Sequence, residues 1–474
     1  MHQAPGRPVP AGTRPLPDAG QVVRELRLLL GDDAVLTSPA DLGAYDGDAY
    51  PVVRQRPAAV VLPSTTEQVA GVVRLCSRYR TPFVPRGAGT GLSGGATPSP
   101  GSVVVSLARM NRILDIDIPN KRAVVQAGCV NQAITDAVRA HGLHYAPDPS
   151  SQTVCTIGGN IAENAGAPHT LKYGVTVNHV TGLRLVLPDG SILDLGGKGA
   201  EASGLDLVGI VVGSEGTFGI VTEATLQLTP LAGHVRALLA VFDSVEQCTA
   251  CVVDIIGHGV LPCALEMIDR TILLAIEDAF RLGFPRDAGA VLTVEVDGSE
   301  AGVEEEAHTV REVCLSHSAR DVKVAATPAE RAALWIARKK GVGTTGRLAK
   351  AIITQDGAIP RSKLPQVLAA VSARAAHHGI RVCNIFHAGD GNLHPCVLFD
   401  QSDPDEAARV HAFNGDVLAL CVEAGGTITG EHGVGLEKRD AMSTMFSQAD
   451  LALMGRVRRA FDPAGICNPG KMLP

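Results

Sequence analysis

Residues 89–94 read Gly-Thr-Gly-Leu-Ser-Gly, and the segment immediately after them constrains the fold more than the motif itself. A G-x-G-x-x-G that holds a dinucleotide in a doubly wound sheet must open a helix, with an acidic residue about 20 positions on. Here the chain continues Thr-Pro-Ser-Pro-Gly and runs into the apolar stretch Ser-Val-Val-Val-Ser-Leu. Pro98 and Pro100 forbid that helix, so the Rossmann arrangement is excluded. Gly91 to Gly95 also fits G-x-S-x-G, but a nucleophile elbow needs the same helix after it. What remains is a glycine-rich loop between strands. Its consecutive N–H groups can form an anion nest for a pyrophosphate. It can equally be a surface turn, and the loop alone does not separate the two.

Two further clusters weigh toward the nest. Residues 147–166 read PDPSSQTVCTIGGNIAENAG, and 213–223 read GSEGTFGIVTE. The chain has 52 glycines in 474 residues, without a collagen-like period. Convergence on one dinucleotide explains three such loops better than three unrelated turns do.

From about residue 57 to 230 the pattern is short apolar strands punctuated by Gly and Pro. Helices are expected at 66–80 and 131–141, and a hairpin turn at Pro188-Asp189-Gly190. After 230, strands alternate with helices at 244–256, 304–316, 328–338, 363–378 and 404–424. That pattern predicts an α+β domain with an antiparallel sheet covered on one face. An amphipathic helix is expected at 22–30. Residues 1–20 are Pro/Gly-rich, lack an apolar h-region and read as a disordered tail. The expected organisation is a tail (1–20), a first domain (21–232), a second (233–450) and a C-terminal segment (451–474) packing back on the first.

A formal net charge of −7 argues against a nucleic-acid binder. No apolar run approaches the roughly 18 residues of a membrane span. Eleven cysteines, an odd number without framework spacing, suit reduced thiols in a cytosol-like compartment. Cys248 and Cys251 form a lone C-x-x-C. With Val245, Val252 and Ile255 on the same helix, it reads as core packing.

Residues 386–395 read FHAGDGNLHP. Folding at Gly389-Asp390-Gly391-Asn392 is expected to set His387 opposite His394, with Cβ atoms roughly 4.5–5.5 Å apart. Two imidazoles so placed can chelate one metal. Glu431, in Gly-Glu-His-Gly-Val-Gly (430–435), is a candidate third ligand, although that segment also reads as a polar loop. Two His and one carboxylate leave coordination positions open and suit Zn²⁺, Fe²⁺ or Mn²⁺.

Taken together, PRGAGTGLSGGA, PSS…TIGGNIAENAG, GSEGTFGIVTE, H-x-G-D-G-N-x-H and G-E-H-G carry a resemblance. Over roughly residues 40–474 the chain resembles the vanillyl-alcohol-oxidase (PCMH-type FAD-binding) superfamily. The nearest branch is the one containing D-lactate dehydrogenases and the FAD-binding subunit of glycolate oxidase. The resemblance implies an α+β fold with a two-subdomain PCMH-type FAD-binding domain and a substrate cap domain. It places the FAD pyrophosphate on the 86–96 loop; with no His in 85–96, FAD is expected to be non-covalent.

The implied FAD contacts in the first cluster are Pro85, Arg86, Gly87, Ala88, Gly89, Thr90, Gly91, Ser93, Gly94 and Gly95. In the second they are Pro149, Ser150, Ser151, Thr156, Gly158, Gly159, Asn160, Asn164 and Gly166. Glu215, Gly216, Gly219, Ile220, Val221 and, in the tail, Asn468 complete the set.

By the same resemblance His387, His394 and Glu431 are metal ligands, His432 is the base, and Arg338 grips a substrate carboxylate. By composition alone Arg338, beside Lys339 and Lys340, reads as a solvated helix charge. The implied reaction oxidises a small 2-hydroxy acid, glycolate or D-lactate, with hydride passing to flavin N5. D-2-hydroxyglutarate-oxidising relatives carry a Lys near Thr354 and an Asn near Cys396, which makes a dicarboxylate the alternative. A flavin-binding electron-relay subunit without its own substrate site is another. The implied electron acceptor is an iron–sulfur subunit or a quinone-linked chain. The expected location is cytoplasmic, or peripheral at a membrane through that partner.

Overall fold

A computed structural model describes residues 19–199 and 204–474. Residues 1–18 of the expected tail lie outside the described residues. Ala19 and Gly20 already belong to the first helix, Ala19–Leu30. That helix buries Val22 and Leu26 in the same core as Val69, Val72 and Val73 of the helix Thr66–Tyr79.

Two main sheets carry the first region, beside a two-stranded pair of Leu143–His144 with Thr229–Pro230. In one, Ala59–Val61, Val103–Ser106 and Phe83–Arg86 run parallel, with Val35–Leu36 antiparallel at the edge. Thr66–Tyr79 connects two of these strands, its N-terminus capped by Thr65, which accepts from Gln68 N. The other is a five-stranded antiparallel sheet, in which the hairpin at Pro188-Asp189-Gly190 joins Val180–Val186 to Ile192–Gly196. In its central strand, Ile220–Gln227, burial alternates residue by residue, as a period of two requires.

The second glycine cluster is not a loop throughout: Ile157–Glu163 is a helix capped by Thr156. The paired glycines at its start disguise it, since Gly is a poor helix former. Close packing explains the first of the pair, Gly158, and Gly87 of the facing loop. A Cβ on Gly87 would overlap Thr156 Oγ1, and one on Gly158 would stand 2.9 Å from the Ala127 Cβ.

The second region is built on an antiparallel sheet whose inner strands are His234–Phe242, Ala290–Gly298, Ala264–Asp269 and Arg381–His387. Both faces are covered, not one. Leu238, Ala240 and Phe242 pack with Cys248, Cys251, Val252, Val310 and Leu368 on three helices. The alternate residues Ala237, Leu239 and Val241 pack with Ile272, Ile276 and Leu334 on the opposite side. A strand buried on both faces has no polar partner in its alternation, so Ala-Leu-Leu-Ala-Val-Phe cannot reveal two faces. The helix carrying Arg338 also runs further than expected, Pro328–Thr345, through glycines that suggest a stop.

The C-terminal residues join the parallel strands. Phe83 N donates to Ile466 O at 2.9 Å, and Asn468 N donates to Phe83 O at 2.8 Å. The fully buried Lys471 donates to Thr97 O at 2.8 Å.

Candidate active site

One cavity of about 430 Å³ runs from the glycine-rich loops to the histidine hairpin. Its wall includes Pro85, Arg86, Gly87, Ala88, Gly89, Thr90, Gly91 and Gly95, then Pro149, Ser150 and Ser151. Thr156, Gly158, Gly159, Asn160, Gly166, Gly216, Gly219, Ile220 and Val221 continue it. Arg338, Thr354, Ile385, His387, His394, Glu431 and His432 close the far end.

Five of the expected cofactor contacts are not in that wall and do another job. Ser93 Oγ donates to His432 O at 2.9 Å. A Cβ on Gly94 would stand 3.1 Å from the Leu436 Cβ. Asn164, in the left-handed region at φ 51°, accepts from Val177 N at 2.9 Å. Glu215 accepts from Val434 N and Gly435 N at 2.7 and 2.8 Å. Asn468 Nδ2 donates to Gly95 O and Glu215 O. Four of these hold the first region against the 432–436 segment or the tail; Asn164 caps its own helix.

The hairpin differs from the expected register. His387 pairs with Asn392, not His394, because the turn is tighter than expected, and the same register continues to Asn384 opposite Pro395. The shift is two residues, which leaves side chains on the same face; a shift of one would have inverted them. The two rings therefore still meet, with centroids 5.2 Å apart.

Their tautomers are set by their partners. His394 Nδ1 lies 2.9 Å from Gln355 O, a pure acceptor, so Nδ1 carries the proton and Nε2 is free. His387 Nδ1 donates to Glu266 Oε1 at 2.7 Å, which frees its Nε2. Both free nitrogens face Glu431 Oε1, at 3.2 Å from His387 and 3.1 Å from His394. The three ligand atoms lie within 4.8 Å of one another. Burial opposes charge on His387, but Glu266 and Glu431 lift its pKa well up. Burial likewise opposes charge on Glu431, yet the two imidazoles hold it well below the carboxylate range. A cation between these groups would take the place of the His387 Nε2 proton, so two imidazole nitrogens and one carboxylate at a point that favours positive charge fit a divalent cation.

His432 stacks on His394 with ring centroids 4.9 Å apart. Burial is the main cause that pushes its pKa down to about 4, against the opposing pull of Asp356. A neutral imidazole with an unpartnered Nδ1 is a proton acceptor. Arg338 is buried, and its Nε donates to Glu266 Oε2. Its Nη2 lies 3.3 Å from both ring nitrogens of His387.

Several cavity or supporting residues carry no signal in the sequence. Glu266 and Asp356 orient the histidine cluster, and Glu163 and Asp48 line the cavity.

A family model for FAD linked oxidases, C-terminal domain, matches residues 231–472, and one for an FAD binding domain matches 57–196. The chain belongs to the FAD-linked oxidases. This oxidoreductase is 44% identical over 463 residues to the glycolate oxidase subunit GlcD of Escherichia coli (strain K12), covering 98% of the chain and 93% of that relative. It is 35% identical to a D-lactate dehydrogenase of Anaerostipes hadrus, covering 94% of each. Among solved structures, p-cresol methylhydroxylase with substrate bound superposes with a TM-score of 0.79 at 18% identity, over 96% of each chain. The fold of this FAD-linked oxidase is thus the PCMH type, with an α+β architecture. Among the described residues no helix is long and apolar enough to cross a membrane.

Proposed function

We propose that this FAD-linked oxidase oxidises a small 2-hydroxy acid, glycolate or D-lactate, to its 2-oxo acid. One observation carries the reading: a single cavity is lined by the glycine-rich loops at one end and by Arg338, His387, His394, Glu431 and His432 at the other. The names of the relatives, a glycolate oxidase subunit and a D-lactate dehydrogenase, point the same way.

The glycine loops hold FAD non-covalently, and His387, His394 and Glu431 hold a divalent metal. FAD supplies the two-electron acceptor, and the metal supplies charge that acidifies a bound hydroxyl. Arg338 takes the substrate carboxylate with the N–H groups that Glu266 leaves free. His432, held neutral by burial, takes the hydroxyl proton. The stacked His394 fixes the plane of the His432 ring. Thr354 and Ile385 wall the same end and offer no cation to a second carboxylate, which favours a monocarboxylate over D-2-hydroxyglutarate. Electrons leave to an iron–sulfur subunit or a quinone-linked partner, which would place the protein in the cytoplasm or at the membrane surface.

The test is product analysis with FAD-loaded protein, an artificial acceptor and a panel of 2-hydroxy acids. Formation of glyoxylate or pyruvate, lost on chelation and restored by Zn²⁺, Fe²⁺ or Mn²⁺, is expected. Absence of any 2-oxo product would favour the electron-relay alternative.

A further inference from the structure

Residues 354–356 meet the site in three ways. Thr354, the last residue of the strand Ala351–Thr354, lines the cavity. The Gln355 carbonyl accepts from His394 Nδ1, and Gln355 N donates to Pro395 O at 3.0 Å. The Asp356 carboxylate, with no exposure, accepts from three successive backbone N–H groups. They are those of Gly430, Glu431 and His432, at 3.1, 3.0 and 2.9 Å. Thr429 Oγ1 adds a fourth hydrogen bond at 2.6 Å and Lys438 Nζ a fifth at 2.9 Å. Lys438 is also fully buried, and it donates to Gly433 O at 3.0 Å. One buried ion pair thus ties every residue from 429 to 433.

We propose that Asp356, with Lys438 as its counter-charge, is the positioning residue that presents Glu431 and His432 to His387 and His394. This rests on the proposed roles of Glu431 as a ligand and His432 as a base. Asp356 is not itself a metal ligand, although its carboxylate lies within 4.8 Å of donor atoms of His394 and His432. Its Oδ2 takes Thr429, Gly430, His432 and Lys438 and its Oδ1 takes Glu431 N, so both oxygens are committed to the 429–432 segment and Lys438. The pair is not a general stabiliser either. Burying two ions is costly, and apolar residues of similar volume often serve stability as well or better. Its gain lies in geometry, because a carboxylate facing three consecutive N–H groups fixes the backbone from which Glu431 and His432 project.

The experiment compares FAD-loaded wild type with Asp356→Asn and with the double variant Asp356→Leu/Lys438→Met. Zn²⁺ alone is titrated by calorimetry, and flavin reduction by glycolate or D-lactate is followed anaerobically over a range of substrate concentrations. Both variants should bind Zn²⁺ roughly 10–100-fold more weakly. Their kcat should fall about 100-fold while KM moves less than threefold, since Arg338 is not on this loop. Their FAD affinity should match wild type. Wild-type Zn²⁺ affinity and kcat, within threefold, in either folded variant would overturn the positioning role. Failure of both variants to fold would also overturn it, by making the pair a stability element. A wild type that neither binds Zn²⁺ nor is reduced would instead refute the proposed function.

Discussion

Glu266 Oε1 accepts from His387 Nδ1 at 2.7 Å, which commits Nε2 of that ring to the site. The other oxygen of the same carboxylate accepts from Arg338 Nε. One buried group thus orients both a proposed metal ligand and the proposed substrate grip. Glu266→Gln removes the charge that both contacts use. Metal affinity should fall roughly 10–100-fold, and KM should rise as Arg338 loses its anchor. Calorimetry with Zn²⁺ and steady-state kinetics check this; an unchanged affinity and KM would refute it.

Gly166 faces Glu431 across the junction of the two regions. A Cβ there would stand 2.5 Å from Glu431 Oε2. Gly166→Ala should therefore displace the carboxylate and weaken metal binding about tenfold or more. Calorimetry with Zn²⁺ checks this, and a wild-type affinity would contradict it.

His432 should show no titration near pH 6.5 in kcat/KM. Burial lowers its pKa to about 4, so the base is neutral above that value and is protonated, with loss of activity, below it. The acid limb of a kcat/KM profile should fall near pH 4. His432→Gln should slow flavin reduction by roughly 10²–10⁴-fold while leaving FAD binding intact.

His169, with Nδ1 2.9 Å from the Asp148 carboxylate of its own region, reaches Glu295 of the second region at 3.5 Å. Burial works against its charge, but the two acids outweigh that and raise the pKa to about 10. Protonated His169 therefore stabilises the fold fully below about pH 6.5, its unfolded value, and the contribution is lost as pH rises through 10. The Tm gap between wild type and His169→Gln should be largest at or below pH 6 and close above pH 10. A gap independent of pH would contradict the charge assignment.

The residues proposed to touch ligands are the more legible ones in the sequence. Glycine loops and the H-x-G-D-G-N-x-H turn impose local spacing, so they can be read along the chain. Glu266 cannot be, because it lies 121 positions from His387, within Ala-Leu-Glu-Met-Ile-Asp, where an acid reads as the polar side of a strand. Asp356 is hidden likewise, since its partners are brought to it only by the fold. The hairpin shows the complementary case. Parity predicts the shared face of His387 and His394, but not the tighter turn that pairs His387 with Asn392 and shifts the register by two. Four of the five motif residues outside the cavity wall show that these motifs also encode docking, as Glu215 does for Val434 and Gly435.

Metal-assisted oxidation of a 2-hydroxy acid is tested most directly by anaerobic mixing of the FAD-loaded, metal-loaded protein with one equivalent of glycolate or D-lactate. The oxidised flavin band should bleach with one 2-oxo acid formed per flavin, and chelator or His432→Gln should abolish the change. A flavin that stays oxidised with every 2-hydroxy acid, or one reduced equally well without metal and without His432, would contradict it.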